Sequence, residues 1–576
     1  LSSLVRGLEA RLSVSYVQSG YYDNTFTTTP YKYYLKSYDF ETGEHTLAGK
    51  DNALASKTLR AGRGGNTTDT RVTYEGRLYH TAAWGNHQTS LTGVVQAYER
   101  TFTPIQSVLN GMPQRNLTYS VRGSYGYKDR YFGEVSVGYN GSERFAKGNR
   151  MGVFPAFGAA WVASNEKWMQ RTSDWLSFLK FRFSWGKVGN DGIISTPRYV
   201  YLQDIGSTSS GTTKDVEAYR TGGFNRRIIN FYGDEDIQWE IAEQANLGVE
   251  TKLFKGLLEI QADIYQEFRH NILSKRYVIP ANVGIEVAPL DNIGKTRSRG
   301  IDLSAKIQHQ FSNDFWVILN GTLTYNKVKY EEIEEATNKP SWQRMKGKEI
   351  SQAIGYIAEG LFRDEAEIAN SPRQDGDVMP GDIKYRDLNG DGSITVADAT
   401  YIGYPETPRL IYGFSGFINY KRFEFSFSFQ GSGKRTFFVN PSAISPFVGN
   451  HAMLTAIYND HWSEDNMATR PFWPRLSPQN ITAHNPQENW YAGAETRKST
   501  YFMRECSFLR CTSIQLAYNM PRKLLNKWRM QNMKFFVSTN NPFCFTNFKL
   551  WDVELGENGF NYPIQRTYSL GLNVTF

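Results

Sequence analysis

The chain has 576 residues, of which 15% are aromatic, and its mean hydropathy is −0.51. A membrane-spanning helix needs about 20 consecutive, predominantly apolar residues, and the sequence contains no such run, which excludes a helical membrane protein. The net charge of +8 is spread along the chain rather than gathered in a basic tract, so it does not predict a nucleic-acid partner.

The first predicted element is a strand at residues 8–16, where apolar residues alternate with Glu9, Arg11, Ser13 and Ser15. This alternation gives a strand one apolar and one polar face. A transmembrane barrel turns such apolar faces outward to lipid, and so combines a hydrophilic average with many aromatic residues. A large soluble all-β protein is the alternative on composition alone.

The same alternation recurs along the chain, at residues 117–125, 131–139, 179–185, 317–325 and 423–429. The first two rows flank the short polar turn Lys128-Asp129-Arg130, which predicts an antiparallel hairpin. The clearest row is formed by four phenylalanines that alternate with polar residues, and we expect their side chains to face lipid. They are Phe423, Phe425, Phe427 and Phe429.

The last ten residues alternate in the same way, and the apolar row ends on Phe576, the final residue. An outer-membrane barrel places its closing strand at this position. We therefore expect Phe576 to take part in barrel assembly, so that its deletion lowers the yield of folded protein.

The predicted connections are grossly unequal in length, which is typical of outer-membrane barrels. Turns near Lys128, Gly256, Asn313 and Lys421 are short. The long loops span approximately residues 190–236, 270–296, 329–409 and 434–498, which are rich in Gly, Pro, Asn and Asp. We count about eighteen strand candidates, so the fold class is all-β, a large antiparallel transmembrane β-barrel with a wide lumen.

A calcium-loop pattern lies within the third long loop, at residues 387–398. Oxygen ligands at positions one, three, five and twelve, a carbonyl at seven and a glycine at six match the requirements of such a loop. The predicted ligands are Asp387, Asn389, Asp391, Ser393 and Asp398. We expect a structural Ca²⁺ ion here, and the alternative is a turn of Asx and Gly residues without an ion.

Other candidate sites are weak. The three cysteines have no metal-ligand spacing and specify no disulfide framework. The chain starts at Leu1 with neither Met nor a leader segment, so we expect it to be part of a longer protein. There is no Gly-x-Ser-x-Gly motif, and His461 beside Asp460 is the nearest approach to an acid–base pair. We therefore predict that the protein is not an enzyme.

The calcium-like loop also belongs to a set of motifs that resembles a known family, the SusC/RagA-like TonB-dependent transporters of the Gram-negative outer membrane. The central motifs are Pro380-Gly-Asp-Ile-Lys-Tyr-Arg-Asp387-Leu-Asn-Gly-Asp-Gly, Tyr401-Ile-Gly403-Tyr-Pro405 and Tyr412-Gly-Phe414. Further matches are Trp185-Gly-Lys-Val-Gly-Asn190, Asn292-Ile-Gly294, Phe429-Gln-Gly431 and Pro563-Ile-Gln-Arg566-Thr-Tyr568. They fall in order along essentially the whole chain.

This resemblance implies an architecture and a set of partners. Family members have a barrel of twenty-two strands around a plug domain, so residues 1–576 would be the C-terminal barrel portion, without the plug. The resemblance implies import of oligosaccharides or peptides, a SusD-like surface lipoprotein as a lid, and energy from the TonB complex through the region that precedes Leu1. It also implies contact with outer-membrane lipid.

Two alternatives to active import remain open at this point: a passive outer-membrane pore and a structural binding barrel. An outer-membrane enzyme is the least favoured class. Substrate residues are not fixed by the sequence, because flat aromatic rings in loops suit sugar faces but also suit packing against a lid or lipid. The weak candidates are Trp462, Trp473 and Trp490.

Overall fold

The computed structural model describes residues 6–50, 58–62, 65–103, 111–192, 198–208, 226–285, 287–440, 453–466, 471–476 and 498–576. Its main feature is a sixteen-stranded antiparallel sheet in which neighbouring strands follow the order of the chain. The strands are β1 Leu8–Tyr22, β2 Asn66–Trp84, β3 His87–Thr103, β4 Gln114–Tyr127, β5 Tyr131–Ser142, β6 Met151–Val162, β7 Leu176–Asn190, β8 Glu240–Leu253, β9 Leu258–Lys275, β10 Leu290–Ser312, β11 Phe315–Glu332, β12 Leu410–Tyr420, β13 Phe423–Gly433, β14 Phe508–Asn519, β15 Asn532–Thr546 and β16 Thr567–Thr575.

Short strands in the connections pair with one another rather than joining the main sheet. They are Phe26–Thr27 with Arg60–Ala61, Lys32–Tyr38 with His45–Lys50, Asp204–Thr208 with Arg226–Phe231, Ala358–Leu361 with Ile383–Tyr385, Thr436–Phe438 with Met503–Glu505, and Ile354–Tyr356 with both Thr400–Tyr401 and Lys498–Ser499. The main sheet therefore has sixteen strands where the sequence suggested about eighteen.

The helices are short. The α-helices are α1 Glu365–Ala369, α2 Thr455–Asn459 and α3 Arg522–Lys527, and the 3-10 helices are Ala163–Asn165, Lys167–Thr172, Ala281–Val283, Ser341–Gln343, Val396–Asp398 and Val553–Leu555. Within the described ranges, no helix has the length and apolar character needed to cross a bilayer.

Successive connections lie at opposite ends of the strands, so the sheet has two rims, and the longest connections all lie on one of them. We call one the short-turn rim; it consists of the turns 85–86, 128–130, 163–175, 254–257, 313–314, 421–422 and 520–531. We call the other the long-loop rim. The connection that leads to β14 spans residues 434–507, and the one that leads to β16 spans residues 547–566. This asymmetry agrees with the sequence, except that the expected loop at 270–296 is reduced to 276–289 because β9 and β10 extend further.

The predicted hairpin at Lys128-Asp129-Arg130 is present. Tyr127 of β4 lies opposite Tyr131 of β5. Lys128 and Asp129 both adopt positive φ, 54° and 53°, which twists the turn in the sense that suits the strands it joins. Two residues in this costly conformation persist because the flanking ladder fixes them.

The apolar residues form continuous rows across the strands. One row runs over six strands through direct register partners, which are Val317, Ile418, Phe425, Leu516, Val537 and Leu570. On β13 itself the phenylalanine rings pack on one another, with ring centroids 5.7 Å apart for Phe425 and Phe427 and 6.0 Å for Phe427 and Phe429. Such rows are the outward, lipid-facing side of a barrel wall.

The opposite face of the wall is polar and is cross-linked between strands. Glu424, which alternates with the phenylalanines, accepts a hydrogen bond from Asn519 Nδ2 at 2.7 Å and pairs with Lys534. Further along the sheet, Arg182 Nη2 lies 2.6 Å from Asp263 Oδ2. These two side chains meet above Gly248, where an added Cβ would lie 2.6 Å from Asp263 Oδ1, so the glycine is required by this contact.

The connections of the long-loop rim fold onto one another around a hydrophobic core of their own, which we call the loop core. It includes Tyr356, Ile383, Phe437, Phe502 and Phe548, all fully or almost fully buried. These residues come from the connections 333–409, 434–507 and 547–566. These three connections therefore form a packed layer above the wall rather than separate extended loops.

Candidate functional site

A cavity on the long-loop side lies between the end of the wall and the loop core. Its volume is 880 Å³. Aromatic rings and charged groups line it together, including Tyr330, Tyr404, Phe438, Arg435 and Glu406. Ligand sites in proteins commonly combine a concave, partly apolar wall with a few placed polar groups, so this cavity is the candidate functional site.

A tight backbone turn positions Tyr404 in the cavity wall. Gly403 has a positive φ of 62°, and an added Cβ would lie 2.8 Å from Met503 Sδ and 2.9 Å from Thr436 Oγ1. The next backbone N–H, that of Tyr404, donates to Thr436 Oγ1 at 2.9 Å. The Gly403-Tyr404-Pro405 motif is therefore explained locally, because only glycine permits this close approach.

Charged groups fix the wall around the tyrosines. Glu349 is buried and receives two cations, Arg409 and Lys327, with Lys327 Nζ 3.1 Å from Glu349 Oε1. The Arg409 guanidinium also lies over the ring of Tyr404, 4.7 Å from its centroid. This arrangement holds the Tyr404 ring between the wall and the open cavity.

Arg435 is the cavity residue with unused donor capacity. Its Nε is buried and has no hydrogen-bond partner within the described part of the chain. Buried donors are normally satisfied, so this atom is an exception among the groups around the cavity. Together, the rings and charges can bind a molecule that has apolar faces and hydrogen-bonding groups.

Sequence reasoning did not find this cavity. Its lining comes from positions as distant as 330 and 561, and no residue pattern links them before the loops pack. The only local signal was the Tyr401-Ile-Gly403-Tyr-Pro405 motif, whose glycine marks an unusual backbone conformation.

The three tryptophans proposed as weak substrate candidates do not share one environment. Trp473 is only 5% exposed and belongs to the loop core, so its ring is not accessible to a ligand. Trp462 is half-buried, and its ring covers Gly381, where an added Cβ would lie 2.5 Å from it. Trp490 lies outside the described residues. The structure therefore does not place the tryptophans together as one binding wall.

In the calcium-like loop, backbone N–H groups donate hydrogen bonds to the side-chain oxygens of the same loop. Asp387 accepts hydrogen bonds from the N–H groups of Gly390 and Gly392, at 2.7 and 2.8 Å. Asn389 Oδ1 accepts from the Asp391 N–H at 2.9 Å, and Asp391 Oδ1 from the Ser393 N–H at 2.8 Å. The Gly392 N–H lowers the pKa of Asp387 below its usual value, and the Gly390 N–H acts in the same direction.

Asp398, the expected twelfth-position ligand, is fully buried and already engaged. Its Oδ1 accepts from the Leu388 N–H at 2.9 Å and its Oδ2 from the Thr395 N–H at 2.7 Å, the latter as part of a capping box. No group of three or more His, Cys, Asp or Glu side chains within the described ranges is arranged to hold a metal ion. The oxygen set fits a cation in part, and calcium binding here stays a prediction.

The remaining sequence candidates have local structural roles. His461 Nδ1 lies 3.0 Å from the Tyr458 carbonyl oxygen, while Asp460 Oδ2 accepts from the Phe472 N–H at 3.2 Å. The three cysteines are free thiols. Burial raises the pKa of the Cys506 thiol to about 11. The role of Phe576 in assembly stays a prediction.

The wall, with one apolar and one polar face and two unequal rims, defines the class of protein: an integral β-barrel of the outer membrane. The model of one family, described as TonB dependent receptor-like, beta-barrel, matches residues 5–463. The chain belongs to this family, and the fold class and location predicted from the sequence are confirmed.

Relatives agree with the resemblance to the SusC/RagA type. TonB-dependent receptor P26 of Formosa agariphila is 26% identical over 509 residues, 82% of this chain and 48% of that protein. TonB-dependent receptor SusC of Bacteroides thetaiotaomicron is 25% identical over 482 residues, 80% of this chain and 44% of that protein. The chain thus spans about half the length of the curated relatives it matches.

A solved structure shows the same fold. The RagAB peptide transporter matches with a TM-score of 0.72 at 18% identity, over 99% of this chain and 60% of the matched chain.

Proposed function

We propose that the chain is the barrel of a SusC-like active importer, which takes up oligosaccharides or peptides across the outer membrane. In this proposal a SusD-like surface lipoprotein closes over the long-loop rim, and the TonB complex supplies energy through the part of the protein that precedes this barrel. The protein performs no catalysis of its own.

The observation that carries the proposal is the 880 Å³ cavity at the long-loop rim, between the loop core and the polar face of the wall. In this proposal a ligand that arrives from outside contacts Tyr404 and Glu406 of the cavity lining on its way to the lumen. The packed loop layer also supports the proposed lid, because a partner needs a defined surface to dock on. A passive pore has no need of such an ordered layer, and this favours import over the alternative.

The test is uptake by living cells that produce the full-length protein. Labelled oligosaccharides and labelled peptides are supplied with and without a protonophore, and accumulated label is measured. We expect one of the two classes to accumulate only while the proton-motive force is intact. Equal entry with and without the protonophore would establish a passive pore instead.

Tyr404→Ala tests whether the cavity contacts the substrate. Loss of an aromatic contact is worth about 0.5–1.5 kcal/mol, so we expect half-saturation at roughly twofold to tenfold higher substrate concentration. The control is Tyr458→Ala, since Tyr458 is an exposed tyrosine on α2 outside the cavity lining. If both variants shift the half-saturation concentration equally, the effect does not come from the cavity.

We also propose that the 387–398 loop binds calcium as a structural ion, with Asp387, Asn389 and Asp391 as side-chain ligands. Support comes from the sequence motif and from the glycine N–H groups, which lower the pKa of Asp387 and so favour its charged form. Calcium in exposed modules binds at about 10⁻⁴–10⁻³ M, so we expect amide hydrogen exchange in this loop to slow over that range.

Asp387→Ala should abolish this calcium effect, whereas Asp375→Ala, at an exposed position outside the loop, should preserve it. Exchange rates that are the same in calcium and in chelator would mean that the loop is a turn held by hydrogen bonds alone.

A further inference from the structure

The short-turn rim carries almost all of the net charge of the chain. Its 38 residues contain eleven Lys and Arg but only four Asp and Glu. Seven of the eight net positive charges of the chain therefore lie in this rim. In the sequence these cations are scattered over some 400 residues, and it is the alternation of the strands that brings them to one edge of the wall.

Few of these cations are neutralised by the protein itself. Arg130 pairs with Glu166 at 3.1 Å, and Lys255 pairs with Asp174 at 3.1 Å. The densest group lies on α3 and just after it, and consists of Arg522, Lys523, Lys527 and Arg529, all exposed. None of these four makes an ion pair within the described part of the chain. We call them the α3 cluster.

The local fold displays the α3 cluster toward the outside. The helix follows Pro521, a residue that favours a helix start, and Leu525 is buried beneath it. Lys523 and Lys527 are one turn apart and lie on the side of the helix away from Leu525. The helix ends at Lys527, and Arg529, two residues later, has a positive φ of 57°.

Exposed indole rings accompany the cations on the same rim. Trp168, Trp175 and Trp528 are 64%, 53% and 45% exposed. Trp168 lies within the 3-10 helix Lys167–Thr172, Trp175 comes shortly after it, and Trp528 follows α3. Tryptophan beside lysine and arginine is typical of the headgroup level of a bilayer, where the ring has an apolar body and a polar N–H.

The geometry points to a docking surface for anionic phospholipid headgroups: the short-turn rim, with the α3 cluster as its strongest site, binds the phosphates of the adjoining leaflet. A lipid surface is the occupant because the rim continues into lipid-facing rows of the wall. Phe535 and Val537 of β15, the strand that follows α3, are exposed on that face. The exposed cations of the α3 cluster are then next to the headgroups of the adjoining leaflet.

A leaflet of zwitterionic lipid has no net charge to attract these cations. In an anionic leaflet, each cation near the surface strengthens binding about fivefold. These charges are exposed to solvent, so salt screens their attraction to the lipid. The screening becomes stronger as the ionic strength rises, because the Debye length shortens. The rim should therefore select anionic over zwitterionic lipid, and lose that selection at high ionic strength.

The experiment uses the full-length protein, extracted in detergent and equilibrated with equal amounts of phosphatidylglycerol and phosphatidylethanolamine. Native mass spectrometry gives the ratio of the two lipids retained. We expect the wild type to retain phosphatidylglycerol preferentially. Replacing the α3 cluster by R522Q, K523Q, K527Q and R529Q should reduce that preference by at least about tenfold, and salt should reduce it in the wild type.

The matched control neutralises four exposed cations of the long-loop rim, through R344Q, K346Q, R373Q and R566Q. This variant should keep the wild-type ratio, and heat-modifiable migration in gels verifies that both variants are folded. Equal retention of the two lipids by the wild type, or an unchanged ratio in the folded α3-cluster variant, would overturn the proposal and leave these cations to a periplasmic protein partner.

Discussion

Phe427→Arg is expected to prevent most of the protein from reaching the folded state in the outer membrane. Phe427 lies in the middle of β13, and its ring packs between those of Phe425 and Phe429 on the outward face. An arginine near the bilayer midplane costs about 2–4 kcal/mol, and the ring contacts are lost as well. The folded fraction is measured from heat-modifiable protein in membrane preparations.

Ser428→Arg is the control for this effect on the other face of the same strand. Its register partners Ser415 and Ser513 are also serines, so an added guanidinium there enters a polar, hydrated lumen. We expect near wild-type amounts of folded protein. If the two arginine variants are lost to the same extent, the assignment of the outward face is wrong.

Asp382→Ala is expected to unfold the loop layer while leaving the wall intact. Asp382 is fully buried and accepts hydrogen bonds from Arg475 Nε and from the Met379 N–H, both at 2.8 Å. Breaking a buried ion pair by removing one partner costs about 3–5 kcal/mol, and the Met379 N–H loses its acceptor as well. Limited proteolysis should then cut within residues 333–409.

Asp377→Ala provides the comparison, because Asp377 is exposed, lies five positions away and belongs to the same connection. We expect it to leave the proteolysis pattern unchanged. The strands should remain resistant in both variants, since their ladders do not depend on the loops. Cleavage that is equal in the two variants would show that the ion pair does not hold the layer together.

The strands were predictable because each carries its own signal: side chains alternate between lipid and lumen, so every second residue must be apolar wherever the strand lies in the membrane. The same reasoning explains the error at 270–296. β9 continues to Lys275 and β10 begins at Leu290, because backbone pairing persists beyond the bilayer, where alternation is no longer imposed.

The candidate site was much less predictable, for a physical reason. The loop core joins residues such as Tyr356 and Phe548 that are almost 200 positions apart, and a buried residue in an irregular loop has no periodicity to reveal it. Trp473 illustrates the problem, since its residue type suits a sugar platform and a hydrophobic core equally well. The calcium motif was visible because its ligands are contiguous, yet Asp398 is also explained by its capping box.

The wall is expected to cross the outer membrane with the long-loop rim outside and the short-turn rim in the periplasm. Single cysteines at Lys346 and Lys523 test it directly, with a membrane-impermeant maleimide applied to intact cells. The native Cys506 and Cys511 are buried and Cys544 is half-buried, which keeps the background low. Lys346→Cys should react in intact cells, and Lys523→Cys only after permeabilisation. Labelling of Lys523→Cys in intact cells would contradict this orientation.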